Sequence, residues 1–124
     1  MIEKATILIP DISGFTEFST LTEIDHSSHI INELLWIIID SNKTGFQVAE
    51  IEGDAVLFYK KGDFVPIDQL MMQCFSIFSH FHTRLKVIER DRVCQCGACQ
   101  SATNLTLKFV IHYGDIKEIR IAQF

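Results

Sequence analysis

The sequence has no cluster of lysine or arginine: eleven basic residues are scattered among sixteen acidic ones, for a net charge of −5 and a pI near 5.4. Phosphate-backbone binding needs a concentrated positive surface, so no nucleic-acid partner is expected. There is no long apolar run either. The longest, residues 30–39, is broken by Asn32 and Glu33, far short of the roughly 20 residues a membrane span needs. The apolar start at residues 5–9 runs straight into Pro10-Asp11 and does not read as a secretory leader. Without a leader or a span, a cytoplasmic protein with no membrane partner is expected. Its four cysteines then sit in a reducing compartment, where thiols stay free or bind metal more often than they pair. Repeats and low-complexity segments are also missing. Only two prolines and six glycines punctuate the chain, so each is an informative turn signal.

What remains is ordinary globular usage: 48% hydrophobic, 22% charged, and ten phenylalanines in 124 residues. That length and composition suit one domain, residues 1–124, with an aromatic-rich core. Residues 4–12 read as a largely buried strand, with Pro10 marking where ladder pairing stops. Residues 20–40 read as a helix, with Thr20 to Glu23 as a capping box and Ile30, Ile31, Leu34, Leu35 and Ile38 on one face. Residues 46–51 and 54–60 form a tight hairpin around Glu52-Gly53. Pro66 opens a second helix, in which Ile67, Leu70, Met71, Cys74, Phe75, Phe78, Phe81, Leu85 and Ile88 follow a helical period. A polar loop spans residues 91–103. A strand over 104–113, a turn at Gly114-Asp115 and a last strand over 116–122 complete the chain. The order β-α-β-β-α-β-β predicts an α+β, ferredoxin-like sandwich: an antiparallel-rich sheet with two main helices on one face.

Asp11 ends the first strand and Asp54 opens the strand after the hairpin. If these strands are antiparallel neighbours, the two carboxylates meet at one end of the sheet. Carboxylates held side by side repel unless they share a cation, and magnesium is content with one or two protein carboxylates plus water and phosphate. Each aspartate taken alone is an ordinary turn residue. Gly14 lets the chain after Asp11 turn, so that free amides follow that would favour a phosphate. Metal and amides together would let an acidic protein bind a triphosphate.

Three thiols, Cys94, Cys96 and Cys99, fall within six residues around Gly97. This spacing suits a structural zinc, with Cys74, His80, His82 or His112 as the fourth ligand; three free thiols is the alternative.

The segment Ile7-Leu-Ile-Pro-Asp11-Ile-Ser-Gly-Phe-Thr16 resembles the first metal motif of class III adenylyl and guanylyl cyclase catalytic domains. Glu50-Ile-Glu-Gly-Asp54-Ala-Val-Leu-Phe resembles their second, and Val110-Ile-His-Tyr-Gly114-Asp-Ile resembles a later strand. The resemblance implies that Asp11 and Asp54, with the Ile12 carbonyl as an extra ligand, hold two Mg2+ or Mn2+ ions. One would activate the ribose 3′-hydroxyl and the other would neutralise the departing pyrophosphate. It implies that Gly14, Phe15 and Thr16 follow the phosphates, and that Glu50, just before Gly53, faces the purine. A carboxylate there suits guanine, which offers two neighbouring N–H donors, although Glu50 also reads as a plain polar hairpin residue. The implied ligand is a purine nucleoside triphosphate and the implied assembly a homodimer. The cyclases' transition-state Asn and Arg lie on a helix beyond the last matched strand, so the resemblance implies a domain cut short at its C-terminus. The expected function is conversion of the triphosphate to a 3′,5′-cyclic nucleotide and pyrophosphate when complete and dimeric, with the 124 residues alone inactive. The alternative is an inactive cyclase-like module that binds nucleotide or protein.

Overall fold

Strand β1 (Ile2–Ser13) alternates as a sheet with one covered face should: Thr6, Leu8, Pro10 and Ile12 are buried, while Ile7, Ile9 and Asp11 are half-exposed. The computed structural model describes residues 2–14, 24–91 and 104–117. After β1 come helix α1 (Ile24–Asp40), the hairpin strands β2 (Gln47–Glu52) and β3 (Ala55–Lys61), helix α2 (Ile67–Asp91) and strand β4 (Thr106–Lys117). The sheet order is β2-β3-β1-β4 with every pair antiparallel. Both helices cover one face, where Leu8, Ile12, Val56, Phe58 and Leu107 meet Ile30, Leu34, Ile38, Leu70, Ile77 and Phe81. This is the expected α+β class and the expected order of elements from β1 to β4. Among the described residues no helix is long and apolar enough to cross a membrane.

Four local expectations need correction. Pairing does not stop at Pro10. The β3 ladder skips Ile9 and Pro10, where proline has no N–H to give, and resumes at Asp11↔Ala55, while β4 pairs without a break as far as Ser13. The hairpin turn is Gly53-Asp54, one residue later than expected, so Asp54 precedes β3 instead of opening it. Gly114-Asp115 is not a turn: β4 runs through both, opposite Ala5 and Lys4. The His112 ring lies over Gly114, where a Cβ would come within 2.9 Å of Nε2 and push that exposed ring aside. The remainder of the expected last strand, residues 118–122, lies outside the described residues, as does the proposed capping box.

Helix α2 departs from the expected single apolar face. Leu70, Ile77, Phe81 and Leu85 are buried, with Cys74 and Ile88 half-covered beside them. Ile67, Met71, Phe75 and Phe78 form a second stripe, turned away from the first by roughly a quarter of the helix, and it is exposed; Phe75 keeps 72% of its surface. The core face also holds a polar residue, Gln73, with no exposed surface. Its Oε1 accepts from the Lys43 and Thr44 amides at 3.0 and 3.2 Å and from Thr44 Oγ1 at 2.9 Å. Its Nε2 donates to Asn42 Oδ1 at 3.1 Å. One side chain of α2 thus fixes the loop leading from α1 into the hairpin.

Candidate metal and nucleotide site

The face of the sheet opposite the helices carries the site. Asp11 pairs with Ala55, the residue after Asp54, and the Ile12 amide donates to the Asp54 carbonyl at 2.8 Å. The two aspartates expected to share a cation are therefore neighbours across β1 and the β2–β3 turn. Gly53, at φ 55°, takes the left-handed conformation that lets a two-residue turn deliver Asp54 there. The Ile12 side chain is sealed in the core at 1% exposure, so only its backbone can serve the site.

Glu50 reaches the same face through an irregularity. Val48 pairs with Phe58, yet Glu50 pairs with Leu57, so the register slips by one around Ala49. Without that bulge Glu50 would lie opposite Val56 and point toward the helices. With it, Glu50 is exposed on the face that carries Asp11. Gly14 ends β1 at φ 89°, and a Cβ there would sit 3.2 Å from the Asn104 carbonyl oxygen. Its conformation and its crowding both call for glycine. Phe15 and Thr16 lie outside the described residues, as do Cys94, Cys96 and Cys99.

Of the other zinc candidates, His80 and His82 have polar partners of their own. His80 Nδ1 lies 3.1 Å from Ser41 Oγ, whose hydroxyl donates to Ile37, and 3.4 Å from Ser76 Oγ. His82 packs at a tilt against Phe78, ring centres 4.2 Å apart, and its Nε2 lies 3.3 Å from Thr106 Oγ1. Burial, assisted by Lys86, holds its imidazole below the ordinary histidine range. Cys74 packs against the core, and burial pushes its thiol up. His112 is exposed on the open face of β4.

One residue of the site was not anticipated. Lys108 pairs with Asp11 across β1 and β4, and its Nζ lies 3.6 Å from Asp11 Oδ2. The alternation of Leu107, Phe109 and Ile111 already turns Lys108 away from the core; the missing information was that β4 is the neighbour of β1.

The donor set fits a hard divalent ion that keeps an open shell. Among the described residues no three His, Cys, Asp or Glu side chains gather as a closed metal cage. Asp11 and Asp54, neighbours in the backbone, offer the kind of hard oxygen donor that magnesium or manganese combines with water and phosphate.

Comparison with known proteins agrees with this architecture. A bacterial light-regulated adenylyl cyclase superposes with a TM-score of 0.67 at 14% identity, over 99% of this chain and 59% of that one. The guanylate cyclase domain of RhGC from Catenaria anguillulae, solved in complex with GTP, superposes with a TM-score of 0.64 at 20% identity, over 94% and 60%. This chain thus spans about three-fifths of either. The uncharacterized protein Rv2561/Rv2562 of Mycobacterium tuberculosis is 33% identical over 92 residues, covering 72% of this chain and 41% of that protein. The fold is that of class III adenylyl and guanylyl cyclase catalytic domains, as the three sequence motifs imply. A family model described as "Protein of unknown function (DUF2652)" matches residues 31–124, and the chain belongs to that family.

Proposed function

We propose that this chain is the metal-binding part of a cyclase-type domain that converts a purine nucleoside triphosphate to a 3′,5′-cyclic nucleotide and pyrophosphate when complete and homodimeric in the cytoplasm. The observation that carries the reading is the junction of β1 with the β2–β3 turn, where Asp11 lies beside Asp54 and the Ile12 amide grips the Asp54 carbonyl. In this reading Asp11 and Asp54 hold Mg2+ or Mn2+, with the Ile12 carbonyl as an added ligand. The metal, when bound, supplies charge neutralisation at the phosphates and a more acidic 3′-hydroxyl. The chain's own residues orient the nucleotide. The turn at Gly14 brings backbone amides of the following segment, with Phe15 and Thr16, along the phosphates. Glu50 accepts from the N–H edge of a purine and favours guanine. Gly53 keeps the turn tight enough for Asp54 to face Asp11. A structural zinc held by Cys94, Cys96 and Cys99 belongs to the same proposal, and zinc content of reduced protein tests it.

The test is turnover. The natural full-length protein, given GTP or ATP with Mn2+, is expected to release pyrophosphate and the cyclic nucleotide together. A second reading, a non-catalytic nucleotide-binding or protein-interaction module, draws on the exposed stripe of Ile67, Met71, Phe75 and Phe78. Metal-dependent nucleotide binding without any product would favour that reading and overturn the first.

A further inference from the structure

A lysine that contacts a metal-binding carboxylate competes with the metal, and Lys108 has that position. Its strand register is fixed on both sides, by Pro10↔Phe109 and Ile12↔Leu107, so its stem always rises beside Asp11. Its ammonium contacts Oδ2, the kind of oxygen a divalent ion requires. The lysine side chain keeps 63% of its surface exposed, against 30% for Asp11, so the head can leave without dragging the strand. Other described cations are engaged elsewhere: Lys4 with Asp115, Lys60 with the Thr44 carbonyl and Arg84 with Glu33. Lys108 is the cation that the structure places against Asp11.

We propose that Lys108 is an exchangeable counter-ion of the site: it neutralises Asp11 in the metal-free protein and is displaced when the divalent cation binds. The inference rests on the nucleotide–metal reading above. The ammonium and the dication cannot share one carboxylate without repulsion, so metal entry must turn Lys108 outward.

The experiment titrates the chain with Mn2+ alone, by calorimetry or by the electron paramagnetic resonance of free Mn2+. It compares wild type, Lys108→Gln, Lys108→Arg and Asp11→Asn, each checked for folding by circular dichroism. Lys108→Gln should bind Mn2+ about two- to fivefold tighter, since an exposed ion pair no longer has to be broken. Lys108→Arg should stay near wild type. Equal or weaker Mn2+ binding by Lys108→Gln, or an arginine variant that behaves like the glutamine one, overturns the counter-ion role. If wild type shows no Mn2+ binding that Asp11→Asn abolishes, the metal reading itself falls and this inference with it. If that binding exists and Lys108→Gln leaves it unchanged, only the inference falls.

Discussion

Replacing Gln73 by leucine removes one acceptor from three donors at once. The Lys43 amide, the Thr44 amide and Thr44 Oγ1 all converge on Oε1 within 3.2 Å, and Asn42 Oδ1 loses the Nε2 donor at 3.1 Å. Gln73 itself has no exposed surface, whereas Lys43 is exposed and Thr44 half-exposed. Water can therefore rescue part of the loop but not all of it. A net hydrogen bond is worth about 1 kcal/mol, and a donor left dry costs about 1–3, so the loss should be about 2–4 kcal/mol. That is a large share of the roughly 5–15 kcal/mol that holds a domain together. Urea unfolding at neutral pH reads it as a lower midpoint with an unchanged slope. Thr44→Val removes only one of the bonds and should cost about 1 kcal/mol; the double variant should fall short of the sum, because the two residues share a contact. A Gln73→Leu protein within about 0.5 kcal/mol of wild type, on the scale of an inert surface change, would refute the idea that this amide organises the loop.

The two stripes of α2 should respond in opposite ways. Phe81→Ala, at a site with no exposed surface, should cost about 3–5 kcal/mol, while Phe75→Ser, 72% exposed, should change unfolding by no more than about 0.5 kcal/mol. Similar losses at both positions would mean that Phe75 is covered in solution. The stability curve should also bend in mild acid. Because burial lowers the folded-state pKa of His82, the unfolded chain takes up the proton first. The contribution of His82 is thus complete above about pH 6.5 and declines as pH falls towards the folded value. Thermal unfolding of His82→Gln between neutral pH and pH 5 should lack that decline; an unaltered acid slope would assign it to other groups.

The helix–hairpin–helix frame was legible because its signals are local. Gly53 between two β-patterned runs specifies a tight turn, and the spacing of Ile30, Leu34 and Ile38 specifies one buried helix face. The nearness of Asp11 to Asp54 was legible from strand order alone. What the sequence hid depends on neighbours far along the chain. Helical periodicity in α2 merges two adjacent apolar stripes, and only the position of α1 and the sheet decides which one is buried. Gln73 looks like an error in the apolar pattern until the α1–β2 loop closes over it. Gly114 carries the residue type of a turn, yet it lies inside β4 with the His112 ring over it. The slip at Ala49 that turns Glu50 onto the face of Asp11 has no mark in the sequence, because a bulge depends on the partner strand. Lys108 became part of the site only once β4 was known to lie against β1.

The most direct test of the account is metal-dependent nucleotide binding to wild type, Asp11→Asn and Asp54→Asn, measured by calorimetry with Mn2+ and a non-hydrolysable GTP analogue. Asparagine keeps the shape of each side chain and removes the charge that would hold the cation. The account predicts that wild type binds the analogue only when Mn2+ is present, and that each variant weakens this binding by about tenfold or more while unfolding as a native-like domain. Retention of wild-type, Mn2+-dependent binding by both variants would contradict it.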